Sequence, residues 1–153
     1  MSQLTFKFPF KKKYFEQDFF VSSNNFSAYK LIESWPNWPG NWLNVYGASG
    51  SGKTHLSKIL EKKIERIKIL DESKLDNTVI SELNKSECLI IDNFNNKVDD
   101  KLFYSLLNHS KQINNYILVN SFKPLNKLSF TLNDLKSRIG SFINIGIDLP
   151  PDD

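Results

Sequence analysis

GASGSGKT, residues Gly47 to Thr54, has the form G-x-x-x-x-G-K-[ST]. The apolar run Trp42-Leu43-Asn44-Val45-Tyr46 precedes it as a candidate strand, and His55 to Leu60 follow with helical spacing. A strand feeding a glycine-rich loop and then a helix N-terminus aims several backbone N–H groups at one spot, where the helix dipole also favours an anion. Gly47, Gly50 and Gly52 permit the tight turn and close backbone approach to phosphate oxygens. Lys53 is placed to reach the β and γ phosphates, and the Thr54 hydroxyl to ligate Mg²⁺. The candidate nucleotide-binding residues are therefore Gly47, Ala48, Ser49, Gly50, Ser51, Gly52, Lys53, Thr54 and His55.

The chain has 153 residues, enough for one domain with a sizeable core. Hydrophobic residues at 40% and charged residues at 24% give an ordinary globular balance. The net charge of +3 is too weak to argue for nucleic-acid binding by itself. The single cysteine, Cys88, excludes an internal disulfide and sits in the apolar run Cys88-Leu89-Ile90-Ile91, as a buried structural thiol does. No apolar run approaches the ~20 residues needed to span a bilayer. Lys7 and Lys11 to Lys13 interrupt the N-terminal aromatics, so no signal-peptide core forms. The expectation is a cytoplasmic protein with no membrane partner.

Residues Met1 to Phe10 alternate apolar and polar, as an extended segment does. Their large apolar side chains need a partner, either the domain's own surface or another protein. Phe26 to Trp35 carry a partial apolar stripe after the capping cluster Ser22-Ser23-Asn24-Asn25. In Trp35-Pro36-Asn37-Trp38-Pro39, the indoles either close over a nucleotide base or plug the edge of the core. Beyond the glycine loop a helix is expected to about Arg66, then a strand Ile67-Lys68-Ile69-Leu70 ending at Asp71. A weaker helix is expected from Asp76-Asn77 through Leu83, then a buried strand Glu87 to Asp92. Asp99-Asp100 cap a helix through Leu102, Phe103, Leu106 and Leu107. A strand Tyr116 to Val119 ending at Asn120 and Ser121, a helix Thr131 to Ile139 and a strand Ser141 to Ile147 complete the pattern. Five strands alternating with helices imply an α/β parallel sheet covered on both faces, with ligands at the carboxyl ends of its strands. Asp92, Asn120 and the glycine loop all fall at such ends.

Asp92 suits the carboxylate that holds Mg²⁺ beside the loop threonine. The next residue is Asn93, where many P-loop ATPases carry an acid that activates water. An amide is a very poor proton acceptor, so weak or absent hydrolysis by this chain is expected. Asn120 either senses the γ-phosphate or positions water, or is a turn former before Pro124. Arg138 is either a helix C-terminal dipole partner or an arginine finger acting on a neighbouring subunit's nucleotide. His55, His109 and Cys88 lack metal-ligand spacing, so no zinc site is expected.

GASGSGKTHL, CLIIDN, ILVNSFKP and DLKSRIGSFINIGIDLPPDD, in that order and spacing, resemble the initiator-ATPase branch of the AAA+ family. That branch holds the bacterial replication initiator DnaA and its short relative Hda. The resemblance implies a P-loop NTPase of AAA+ type, a three-layer αβα sandwich with a five-stranded parallel sheet. It implies Lys53 and Thr54 as Walker A, Asp92 as Walker B, Asn120 as sensor 1 and Arg138 as an arginine finger in trans, with ATP or ADP and Mg²⁺ as cofactors. Gln3-Leu4-Thr5-Phe6-Lys7-Phe8 and the segment Trp35 to Pro39 are similar to the Hda type. Gln3, Leu4, Phe6 and Phe8 then become a motif that docks on the DNA-polymerase sliding clamp, an extended peptide entering a hydrophobic groove.

The expected organisation is an extended tail at 1–13 and a nucleotide-binding core at 14–153 without the lid domain of the family. Asn93 departs from the family's acidic pair. The implied function is a clamp-docked regulator that promotes hydrolysis of DnaA-bound ATP, with a homo-oligomer as a further possible assembly. A DnaA-like loader acting on DNA is the alternative, disfavoured because no helix-turn-helix or strongly basic segment follows the core. A small P-loop kinase needs an acceptor pocket and a base, for which no residue is placed. A steady-state assay of the purified chain is expected to show little or no ATP turnover. Several turnovers per second would show that Asn93 does not disable the site.

Overall fold

The structure is a computed structural model that describes residues 26–48 and 52–147. The tail with Gln3, Leu4, Phe6 and Phe8, loop residues Ser49, Gly50 and Ser51, and residues 148–153 lie outside the described residues. The strands are β1 (Trp42–Gly47), β2 (Ile67–Asp71), β3 (Cys88–Phe94), β4 (Tyr116–Ser121) and β5 (Ile143–Ile147). The helices are α1 (Phe26–Glu33), α2 (Lys53–Lys63), α3 (Asn77–Ser81), α4 (Asp100–Ile113) and α5 (Asn133–Ile139), with short 3₁₀ turns between several elements. All five strands pair in parallel, in the order β2-β3-β4-β1-β5. Parallel neighbours cannot be joined by hairpins, so the helices serve as crossovers and cover the sheet.

Strand side chains alternate between the two faces, and two cores result. Trp42, Leu89, Ile91, Ile117 and Val119 meet Phe103, Leu106 and Leu107 of α4 and Leu135 and Ile139 of α5 on one face. Leu43, Val45, Ile90 and Leu118 meet Ala28 and Ile32 of α1 and Leu56, Ile59 and Leu60 of α2 on the other. Cys88 lies fully buried in the second core, where burial pushes its thiol pKa well up. Among the described residues, no helix is long and apolar enough to cross a membrane.

Helix α4 shows how local sequence sets an element. The Asp99 carboxylate accepts from the Lys101 N–H at its start, and Asn114, at φ 61°, caps its end with an N–H to the Ser110 carbonyl. Between these caps, Phe103, Leu106, Leu107 and Ser110 are buried.

Several element ends differ from the sequence expectation: α1 stops at Glu33 and α3 at Ser81, while α5 starts at Asn133 and β5 at Ile143. Two further differences have a clear cause in packing. Helix α2 stops at Lys63 rather than near Arg66, because Ile64 turns extended (φ −115°, ψ 124°) and buries its side chain in the second core. Strand β3 does not end at Asp92 but runs on to Phe94, whose fully buried ring lies 4.8 Å from that of Phe103.

The indoles of Trp35 and Trp38 both meet the Tyr116 ring edge-on at 5.6 Å. Tyr116 opens β4, so these indoles plug the amino edge of the sheet and do not stand over the glycine loop at its carboxyl edge.

Glu72, just past β2, is 3% exposed, and its carboxylate accepts from the backbone N–H groups of Asn95, Lys97 and Val98 at 2.7, 2.6 and 3.0 Å. It thus fastens the loop that leaves β3. Glu72→Ala leaves these donors without their protein acceptor and is expected to cost about 2 kcal/mol or more in urea unfolding. Amide exchange at Asn95, Lys97 and Val98 should accelerate selectively. Unchanged exchange there would show that the carboxylate does not hold the loop.

Candidate nucleotide-binding site

The glycine loop leaves β1 at the carboxyl edge of the sheet and returns as α2. Gly52, the residue before α2, has φ 110° and ψ 9°, a backbone that L side chains rarely adopt. Lys53 folds its Nζ back across the loop, donating to the carbonyls of Gly47 and Ala48. Burial lowers the Lys53 pKa below the usual lysine value, and the Asp92 carboxylate partly offsets that. Thr54 is exposed in the first turn of α2, with His55 half-buried beside it.

Parity along the strands decides which residues meet here. Ile90 and Leu118 face α2, so Asp92 and Asn120, two residues further along each strand, turn toward the same helix. Asn120 is 1% exposed, and its Nδ2 donates both to Asp92 Oδ1 and to Ser57 Oγ of α2, each at 2.7 Å. Asp92 only accepts when ionised, which fixes the direction of the Asn120 amide. The Asn120 Oδ1 is buried without a hydrogen-bond partner. The oxygens of Thr54, Asp92 and Asn120 are hard donors, the kind that suits Mg²⁺ supplemented by water and phosphate rather than zinc.

Asn93 is turned elsewhere. Pairing of β3 with β4 steps from Ile91↔Val119 to Phe94↔Ser121, so β3 carries one extra residue here, a bulge. Asn93 sits in it at φ 55°, a left-handed conformation that asparagine tolerates better than most side chains. Its Nδ2 donates to Asp71 Oδ1 at the end of β2, at 3.0 Å. Asp71 also accepts from the Ser73 N–H at 2.9 Å and the Ser73 hydroxyl at 2.7 Å. These bonds, with Asn93's the largest contribution, lower the Asp71 pKa from 3.8 to about 2.

Arg138 stands apart from this constellation. It lies in the last turn of α5, which leads to the start of β5 and hence to the amino edge of the sheet, away from the glycine loop. Its Nη2 donates to Asn108 Oδ1 of α4 at 3.2 Å, and its guanidinium lies 5.9 Å from the centroid of the Tyr104 ring. Of the site residues expected from sequence, the fold thus gathers Gly47, Ala48, Gly52, Lys53, Thr54, His55, Asp92 and Asn120 at one edge and sets Arg138 at the other.

Ser57, Asp71 and Glu72 escaped the sequence reading. Asp71 was visible as a strand-end carboxylate, but its pairing with Asn93 depends on the β2–β3 register. Asn44 is a further example. It is fully buried, donates to the Val119 carbonyl and Ser121 Oγ, and accepts the Leu125 N–H, tying the segment after Asn120 to β1.

A family model described as RNA helicase matches residues 43–130. The chain is 30% identical over 172 residues to the chromosomal replication initiator protein DnaA of Borreliella afzelii, covering 95% of this chain and 35% of that protein. A DnaA structure bound to AMPPCP and single-stranded DNA superposes with TM-score 0.70 at 21% identity, covering 88% of this chain and 49% of the other. Domain III of DnaA from Thermotoga maritima superposes with TM-score 0.68 at 22% identity, covering 89% of this chain and 67% of the other. These structures share its fold. The chain spans about a third of the curated relative's length and half of the first structure's.

The Asp71–Asn93 pair predicts a pH signature. A carboxyl whose folded pKa lies below its ordinary 3.8 contributes stability that is present above that value and is lost as pH falls toward about 2. Carboxyl NMR titration of Asn93→Ala should move the Asp71 midpoint up toward 3.8. A midpoint still near 2 would assign the shift to Ser73 alone.

Proposed function

We infer the function from one premise: the chain belongs to the P-loop family described as RNA helicase and is a DnaA-related AAA+ protein. We propose that it is a nucleotide-bound, Hda-like regulator that docks on the DNA-polymerase sliding clamp. There it promotes hydrolysis of ATP held by DnaA and so restrains re-initiation. The observation that carries this reading is the division of labour across the sheet. The residue in the water-activating position, Asn93, is bonded to Asp71, while Arg138 lies at the far edge, displaced from its own chain's phosphate loop.

ATP or ADP is held by the loop Gly47 to Thr54, with Lys53 on the phosphates. Thr54 and Asp92 would hold a Mg²⁺ ion, which would neutralise phosphate charge when bound. Asn120 sets the Asp92 carboxylate and links it to α2. With no acid at position 93 to take the proton of an attacking water, the bound nucleotide acts as a regulatory ligand rather than a substrate. Arg138 acts in trans, adding positive charge as the partner's γ-phosphate departs. Gln3, Leu4, Phe6 and Phe8 supply the clamp-docking peptide.

A second reading, a DnaA-like initiator that acts on DNA itself, draws support from the structural neighbour bound to single-stranded DNA. One experiment separates the two. ATP-loaded DnaA is mixed with the full chain and DNA-loaded clamp, and single-turnover hydrolysis is followed. Wild type is expected to accelerate hydrolysis, and Arg138→Ala to abolish the acceleration. Gln3→Ala/Leu4→Ala/Phe8→Ala should lose micromolar clamp binding in calorimetry. No acceleration, combined with salt-sensitive binding of the chain to DNA, would favour the second reading.

A further inference from the structure

The amino edge of the sheet holds a second polar site. The end of α4, the approach to β1 and the turn between α5 and β5 enclose a cavity of about 270 Å³. Arg138, Lys111, Asn41, Ser110, Asn114 and Ser141 supply its polar lining, and no carboxylate is among its lining residues. Among the described residues the ion pairs join Lys63 to Glu33 and Arg66 to Glu87, and neither Arg138 nor Lys111 belongs to one.

Arg138 is half-buried and held by neutral groups, the Asn108 amide oxygen and the Tyr104 ring. Neither cancels its charge, and its Nε is buried with no hydrogen-bond partner. A guanidinium oriented but not neutralised keeps a planar fork for an anion, and phosphate fits that fork in a bidentate manner. Lys111, in the last turn of α4, lines the same cavity as an exposed point charge on a flexible stem. The Ser110 hydroxyl and the Asn41 amide are bonded to Asn115 and Asn114, which leaves the two cations, with no acid to satisfy them, to match a phosphate that arrives from outside the chain.

We infer that Lys111 is a second cation that acts beside Arg138 on the terminal phosphate of a nucleotide bound by a neighbouring P-loop subunit. The inference rests on the reading that Arg138 works in trans. Arg138 supplies the oriented fork, and Lys111 follows the phosphate as its charge redistributes. Asn108 and Tyr104 are positioning residues that act through Arg138.

The test compares stimulated single-turnover hydrolysis of DnaA-bound ATP by the full-length wild type, Arg138→Ala, Lys111→Ala, Lys111→Arg and Lys136→Ala. Lys136 is an exposed cation on α5 outside this cavity and controls for net surface charge. Arg138→Ala should abolish stimulation. Lys111→Ala should lower the maximal stimulated rate about tenfold at an unchanged half-saturating concentration, the pattern of a contact made in the transition state. Lys111→Arg should recover most of the rate, and Lys136→Ala should match wild type.

A Lys111→Ala rate within twofold of wild type, beside an inactive Arg138→Ala, would overturn the inference and leave the proposed function standing. A loss confined to the half-saturating concentration, or shared equally by Lys136→Ala, would also overturn it, pointing to surface attraction alone. Full stimulation by Arg138→Ala would overturn the proposed function and this inference together.

Discussion

Two hydrogen bonds from one buried amide connect the end of β3, the end of β4 and the helix that follows the glycine loop. Asn120 donates to Asp92 at the end of β3 and to Ser57 in α2, the helix that carries the glycine loop. A buried amide hydrogen left unpaired would be costly, so these bonds fix the orientation of the Asp92 carboxylate. They also tie the sheet to the helix that begins at Lys53. A register slip of one residue on β3 or β4 would turn one partner to the opposite face and break the bridge. The apolar alternation of the two cores is what prevents that slip.

The neighbouring edge of the sheet is organised by negative charge. Glu72 gathers three backbone N–H groups from the loop after β3, and Asp71 holds Asn93 in the bulge. The two acids follow one another in sequence but serve different ends, one buried as a loop anchor and one exposed as the partner of an amide. The left-handed backbone at Asn93 suits either asparagine or aspartate, but only the amide can donate to the Asp71 carboxylate, beside which a second acid would be repelled.

A parallel sheet has two unlike edges. The carboxyl edge collects loops and helix N-termini, and here it gathers the glycine loop, Lys53, Asp92 and Asn120. The amino edge collects helix C-termini, and here it holds Trp35 and Trp38 as apolar plugs and Arg138 with Lys111 as unneutralised charge. Since α5 enters β5 from the amino edge, Arg138 is separated from the loop of its own chain by the length of the sheet. That separation is a property of topology and would persist through any change of side-chain rotamer.

The glycine loop, the five strands and the carboxylate at Asp92 were legible from local pattern alone: glycine spacing, apolar runs of strand length, and a charge at a run's end. The sequence left the surroundings of Asn120 and the two indoles open, since a turn asparagine and an inward-facing one, or a plug and a base cover, have the same local composition. Register and edge then placed their side chains. Asn120 faces α2 because it lies two residues beyond Leu118, and the indoles lie remote from the loop because they pack on Tyr116, where β4 begins. Ser57, Asp71 and Glu72 gained their partners the same way, through contacts between strands and helices distant in the chain, which no local pattern records.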